Sequence, residues 1–319
     1  MQVVATPPGQ PPAAPRLPLA FEPFLFLTPA HQVLQQHGRP TLAFFLEDEA
    51  AGRTVAQLYV VLDLEGPGLA RSPGQASFGG VQLAAGLPTA ALHTLLAAAE
   101  AALRQHQQTQ LVVRSYASCY DPAGAATLAA ALGERGYQVA LSEENYHLAT
   151  ARAYEPHLHH SERRRLQRCR RAGLVVEQEP PFLVPAAYAF IAACRQERGQ
   201  SLSLPLARIE ELFRQFPRQH FLFSVRKPGT GDWAALSIVI QVSKRVVYNM
   251  YPASPISENS LSPVVLLNEG LHAYASASGA AAVDLGTSML LSGPNESLLR
   301  FKHNLGGVPD QRLTWQKAL

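Results

Sequence analysis

Apolar positions along the chain switch repeatedly between two periods. Residues 41–49 (TLAFFLEDE) and 55–66 (VAQLYVVLDLEG) are rich in aromatic and β-branched residues and predict strands, with AAGRT as the turn between them. A loop dense in Gly, Pro and Ser follows over 66–80. Over 89–107 the period lengthens, and Leu92, Leu95, Leu96, Ala99 and Leu103 mark the buried stripe of a helix. A strand at 110–116 leads into a second helix, with Asp121 as its cap, Pro122 in its first turn and Gly136 at its end. A strand at 138–150 closes the first half.

The second half opens with a basic helix, SERRRLQRCRRAG, capped by Ser161 and stopped by Gly173. A strand (174–179), two helices (185–199 and 205–217) and three strands (220–227, 233–242 and 245–253) follow, the last three joined by short turns as a meander. A helix from Ser262 to about 276, a strand at 281–288, a helix at 295–305 and a strand at 312–317 complete the chain. On the helix NESLLRFKHNL, Leu298, Phe301 and Leu305 share one face, and Lys302 falls inside that arc. The spacing aims an ammonium at the core.

Composition narrows the class. The 319 residues suit two domains, and 47% hydrophobic against 16% charged residues is a globular balance. A net charge of +3 is too small to imply nucleic-acid binding by itself, so any basic patch is local. Cys119, Cys169 and Cys194 are widely spaced, with no CxxC pair, and fit a reducing, cytoplasmic setting. Residues 1–18 lack the pattern of a signal peptide and read as a disordered Pro-rich arm. No apolar run approaches the roughly 20 residues of a membrane span. No metal-ligand spacing occurs, and the adjacent His159 and His160 are wrongly placed for joint ligation from one helix face.

The element order of the second half resembles that of the Gcn5-related N-acetyltransferase (GNAT) fold. Two such units in tandem resemble the FemAB-type aminoacyl and acyl transferases. The most specific match is VDLGTS followed by GPNESLLRFKHNLGG, similar to that family's strand ending in Gly and its helix carrying Phe-Lys before Gly-Gly. The basic helix 161–173 and the loop RSPGQASFGG also resemble family segments. The resemblance implies an α/β (mixed α+β) chain of two tandem GNAT-like domains, over 19–150 and 151–319. Each would be a mixed, largely antiparallel sheet flanked by helices. It implies an acyltransferase that moves an activated acyl or aminoacyl group to an amine, with acyl-CoA or aminoacyl-tRNA as donor and no metal. It places Phe301 and Lys302 on the channel where the donor's acyl end arrives. One departure stands out: the segment before the helix at 262, YPASPISENSLSP, has no glycine, where acetyl-CoA-dependent members carry a Gly-rich loop. A catalytically inactive ligand-binding protein on the same fold is the alternative.

Each candidate has a plain structural reading beside the chemical one. Lys302 is either a snorkelling lysine or a cation aimed at an oxyanion. Phe301 is core or channel wall. Arg163, Arg164 and Arg168 lie in a run of six arginines offset only by Glu162. That run is a solvated face or a contact for a phosphate-bearing donor, nucleotide-linked or RNA. Ser260 and Ser262, with the N–H groups of the helix they precede, offer an anion site. Asn295 is a further donor contact. Tyr248 is a proton donor on the third meander strand or packing, and Asp284 is a base or the cap of a turn. Glu269 and His272 share a helix face and read as surface pairing.

Overall fold

The computed structural model describes residues 1–9, 13–36, 38–63, 66, 68–290 and 293–319. The end of the second expected strand (64–65), Pro67 of the loop after it, and 10–12 of the expected arm lie outside the described residues. In chain order the elements are β1 (Gln2–Gly9), α1 (Pro29–Gln36), β2 (Thr41–Asp48), β3 (Arg53–Val61), β4 (Leu69–Ser72), β5 (Val81–Leu83), α2 (Thr89–Gln105), β6 (Gln110–Arg114), α3 (Pro122–Glu134) and β7 (Gln138–Ala149). There follow α4 (Tyr154–His157), α5 (His160–Arg171), β8 (Val175–Glu179), α6 (Val184–Gln196), α7 (Leu206–Gln215), β9 (His220–Arg226), β10 (Trp233–Ser243) and β11 (Val246–Asn249). Last come α8 (Val264–Ala277), β12 (Ala282–Thr287), β13 (Met289–Leu290), β14 (Gly293–Pro294), α9 (Glu296–Asn304) and β15 (Val308–Ala318). None of the described helices is long and apolar enough to cross a membrane.

The chain forms two compact units, Met1–Glu144 with Asp310–Leu319, and Asn145–Pro309. The last ten residues therefore sit with the first unit, whereas the linear division carries 151–319 into the second. The reason is backbone pairing: β15 runs antiparallel to β6, from Thr314 opposite Arg114 to Ala318 opposite Gln110. The start of the chain also differs from the expected arm. β1 pairs antiparallel with β2, Gln2 opposite Glu47 and Thr6 opposite Ala43. Val3 and Val4 suit a strand, and β2 offers N–H and C=O groups that need partners.

Strand order in the first unit is β1-β2-β3-β4-β6-β15-β7, with β5 also on β3 and with β4 and β6 parallel. The stripe foreseen on α2, Leu92, Leu95, Leu96, Ala99 and Leu103, is fully buried against Leu42, Phe44, Leu58 and Val60 of β2 and β3. Asp121 caps α3 as expected, its Oδ1 accepting the Gly124 N–H at 3.0 Å.

In the second unit the 145–149 part of β7 is followed by β12-β11-β10-β9-β8. Only β11 and β12 are parallel; the other pairs are antiparallel. Alternation sends side chains to two layers. Leu222, Leu236 and Ile238 face α6 and α7. Phe223, Val225, Val239, Val247 and Val283 face α5, α8 and α9. The foreseen apolar edge of α5, Leu166 and Cys169, is buried in that second layer. Its cap is His159 rather than Ser161, the ring accepting the Ser161 N–H.

Each unit buries carboxylates under arginine forks. Glu143 accepts from Arg312 Nη2 and Arg114 Nη2, both at 3.0 Å, and Glu100 accepts from Arg135 at 2.7 and 3.0 Å and pairs with Lys317. In the second unit Glu179 accepts from Arg226, Ser224 and Trp233. Burial pushes all three carboxyls up, but the hydrogen bonds and charges outweigh it and hold each below its ordinary value. A depressed folded-state pKa gives stability that is present above the unfolded value, about 4.3, and is lost as pH falls through the folded one. The melting temperature should therefore hold between about pH 5 and 8 and fall below about pH 4. Glu143→Gln should lower it at neutral pH and flatten part of that acid slope.

Candidate active site

β11 and β12 stay parallel only as far as Tyr248 opposite Asp284. Beyond that point the chain after β11 turns to β10, where Ala253 bridges Leu236, and β12 turns to β7, where Thr287 faces Asn145. The two chains diverge, and the gap opens a cavity of about 570 Å³. That volume lies within the roughly 300–1,000 Å³ usual for small-molecule sites.

Three walls can be traced to sequence. The first is the start of α8, where Ser262, Val264 and Asn268 line the cavity. Ser262 has φ +54°, a left-handed conformation uncommon for a residue with a side chain, and its carbonyl accepts the Val265 N–H at 2.9 Å. The second is α9 and its cap: Asn295, Ser297, Leu298, Phe301, Lys302 and Leu305. Asn295 Oδ1 accepts the Leu298 N–H at 3.1 Å, which fixes the helix start. At its other end the Gly307 N–H reaches back to the Lys302 carbonyl at 3.1 Å, while Gly306 takes φ +75°. A Cβ on Gly307 would lie 2.6 Å from that carbonyl, so the Gly-Gly pair is a steric requirement. The third wall is the end of α6 with Cys194, Arg195 and Arg198.

Lys302 is only 5% exposed. Its ammonium donates to the carbonyls of Gly286 at 2.7 Å and Thr287 at 2.9 Å. It neither snorkels to water nor hangs unattached in a channel; it is pinned in the cavity wall by two backbone oxygens. Those oxygens are turned toward it by a bulge in β12. The pairing with β7 slips between Asp284 and Thr287, and Gly286 takes φ +72°. Asp284 lies inside β12, 4% exposed, and its Oδ1 accepts from the Gly286 N–H and from Asn145 Nδ2, each at 2.8 Å. Asp284 thus holds the bulge, the structural side of the sequence reading.

Of the other sequence candidates, Phe301, Ser262 and Asn295 join Lys302 on the cavity, and the rest are elsewhere. Tyr248 pairs across from Ile240 and points to the α6 layer, its ring close to Gly286, while its neighbour Asn249 lines the cavity. Ser260 is exposed and off the lining. Arg163 is bound to the carbonyls of Glu155, Pro156 and Leu158, and Arg164 and Arg168, four apart, share the exposed face of α5. From that run it is Arg165, paired with Glu162, that reaches the lining. Glu269 pairs with Arg170 and His272 meets the Ala149 carbonyl; neither lines the cavity.

Sequence reasoning passed over Asn249, Asn268, Arg195 and Arg198. Asn268 was detectable as a polar residue on the buried face of α8, 2% exposed among Leu267 and Leu271. Asn249 Oδ1 accepts from Ser237, its Nδ2 donates to Asn268 Oδ1 at 3.2 Å, and Asn268 Nδ2 donates to the Val264 carbonyl at 2.8 Å. This chain orients both amides and leaves each nitrogen a second N–H. Arg195 and Arg198 carried a weaker signal, two cations three apart after an apolar helix.

The electrostatics are one-sided. Among the described residues the lining has four cations, Arg165, Arg195, Arg198 and Lys302, and no carboxylate. Burial first, and Arg198 besides, pulls the Arg195 guanidinium down from its ordinary value, with Tyr251 opposing. The first unit offers a contrast where its own parallel strands end. There the Gly79 N–H bonds the Arg114 carbonyl at 2.8 Å, and Phe24, Phe78, Tyr116 and Tyr120 pack edge to face.

No protein-family model and no curated protein matches this sequence. Solved structures do resemble it. FemX superposes with a TM-score of 0.74 at 11% identity, covering 94% of each chain. A tandem GNAT protein from the clavulanic acid biosynthesis pathway gives 0.51 at 14%, covering 91% of this chain and 88% of that one. The C-terminal domain of a protein described as a lysylphosphatidylglycerol synthetase from Agrobacterium fabrum gives 0.57 at 13%, covering 89% and 85%. The chain has the tandem GNAT, FemAB-like fold that its sequence resembles.

Two substitutions test how the wall is built. Lys302→Met should destabilise by about 1–3 kcal/mol for each buried carbonyl left without its donor. Gly286→Ala should cost about 1–2 kcal/mol from the left-handed backbone, before its clash with the Tyr248 ring. Both read out as denaturant midpoints; a wild-type midpoint for Lys302→Met would show that the two carbonyls do not depend on the ammonium.

Proposed function

We propose that the second unit transfers an activated acyl or aminoacyl group from a phosphate-bearing donor to an amine. The observation that carries this reading is the cavity at the divergence of β11 and β12, whose lining has, among the described residues, four cations, no carboxylate and a helix start. An anionic donor, acyl-CoA or aminoacyl-tRNA, suits that field. Arg165, Ser262 and the first N–H groups of α8 are the phosphate contacts in this reading. FemX and the tandem GNAT protein share the fold, which makes the class of reaction the natural one to test.

The chemistry asks little of the walls. The donor is already activated, so the protein must position the amine and stabilise the tetrahedral oxyanion. Lys302 is preorganised for the second task by its two carbonyls, and the amides of Asn249 and Asn268 are fixed by their own hydrogen bonds. The surrounding positive charge lowers the pKa of an incoming amine and so favours its neutral, nucleophilic form. The amine nitrogen bonds the acyl carbon, the bond to the leaving sulfur or oxygen breaks, and the amine's proton passes to the leaving group or to water.

A second reading has its own support. No described His, Asp or Glu lines the cavity, and the Lys302 ammonium is already engaged by two carbonyls. A ligand-binding protein without turnover fits those two facts. Heat-denaturation shifts with CoA, acetyl-CoA, longer acyl-CoAs and charged tRNA separate the readings. A donor at 100 times its Kd adds about 2.7 kcal/mol to stability. Binding, with turnover lost in Lys302→Met and binding kept, is the expected result. Binding without turnover across an amine panel assigns the silent protein, and no shift with any donor ends the transferase reading.

A further inference from the structure

The four cations of the cavity do not share one side of the sheet. Arg165 comes from α5 and Lys302 from α9, both packed on the layer of α8. Arg195 comes from α6, on the opposite layer, and Arg198 from the turn that follows it. Arg165 Nη1 donates to the Glu162 carboxylate at 2.8 and 3.0 Å, which answers its charge, and Lys302 donates to two carbonyls that hold it in the wall.

Arg195 is not answered by a carboxylate. Arg195 Nη1 donates to Gln200 Oε1 at 3.0 Å and Nη2 to the Pro252 carbonyl at 3.4 Å, both neutral. Among the described residues no carboxylate pairs with it. Arg198 donates to the Cys194 carbonyl at 2.9 Å and pairs at 3.7 Å with the Glu197 carboxylate, whose Oε2 also accepts the Ile256 N–H at 2.7 Å. A partly buried guanidinium without a counter-anion is costly, and a bound anion relieves it. A donor whose phosphates sit at the start of α8 lies on the other side of the sheet and leaves this charge unmet.

We infer that the acceptor amine carries its own anionic group, a carboxylate or a phosphate, held by Arg195 and Arg198 while its nitrogen reaches the gap between β11 and β12. This rests on the transferase reading and gives its acceptor a chemical class. Amino acids and amino-bearing phosphate compounds fit; polyamines and lysines in basic peptides do not, since they bring only cations to a cationic wall.

Calorimetric titration of the full chain tests it with matched amines: O-phosphoethanolamine and β-alanine as the anionic arms, ethanolamine and propylamine as their uncharged-tail controls. The anionic amines should bind about tenfold tighter or more than their controls. Arg195→Gln should erase that preference while CoA binding changes less than about twofold. Arg198→Gln, at an exposed position, should reduce the preference and covers the case in which Arg195→Gln fails to fold. Equal binding of anionic and neutral amines overturns the inference. So does a preference that survives both substitutions, or an Arg195→Gln variant that loses CoA as strongly as the amine. If CoA does not bind but the Arg195-dependent preference remains, the donor reading falls and the acceptor site stands. The tighter of the two anionic arms distinguishes a phosphate from a carboxylate.

Discussion

A buried ammonium must be met by oxygen, and the second unit is arranged around meeting one. The carbonyls of Gly286 and Thr287 can reach Lys302 only because β12 bulges there. The bulge in turn needs a residue that tolerates a left-handed backbone, and a carboxylate, Asp284, to hold the Gly286 N–H. The same bulge marks where β12 parts from β11. One local irregularity thus positions a cation, opens a cavity and sets its floor.

Much of this was legible beforehand, and the boundary of legibility is physical. Helical phase alone put Lys302 on the buried face of its helix, because phase depends on spacing and not on neighbours. The meander, the α2 stripe and the Asp121 cap were legible for the same reason. What Lys302 touches was not, since its partners are backbone oxygens 15 and 16 residues away, which carry no side-chain signature. Tyr248 and Asn249 show the limit of alternation: it says that one of the two faces the cavity, and only the register with β10 and β12 says which. Residues 2–9 of the expected arm pair with β2 instead, because proline content says nothing about an open strand edge nearby.

The arginine run carries a related lesson. As a string it is one feature, a block of positive charge. On a helix it is several, because successive residues point about 100° apart. Arg163 ties down the chain before α5, Arg164 and Arg168 face solvent, Arg170 bonds two carboxylates, and Arg165 reaches the cavity. The cavity arginine without a carboxylate partner among the described residues, Arg195, lies elsewhere. Charge density along the sequence and charge demand in the structure are different quantities, and the second is the better guide to where an anion binds.

The position of β15 has a consequence for how the molecule is made. The first unit holds both Met1–Glu144 and Asp310–Leu319, so it cannot be completed until residues that follow the second unit have been synthesised. The second unit, 145–309, is an uninterrupted stretch and is fully available earlier. The usual order of synthesis, first domain first, is inverted. Loss of residues 310–319 would injure the unit built on Met1–Glu144, although those residues follow the second unit in the chain.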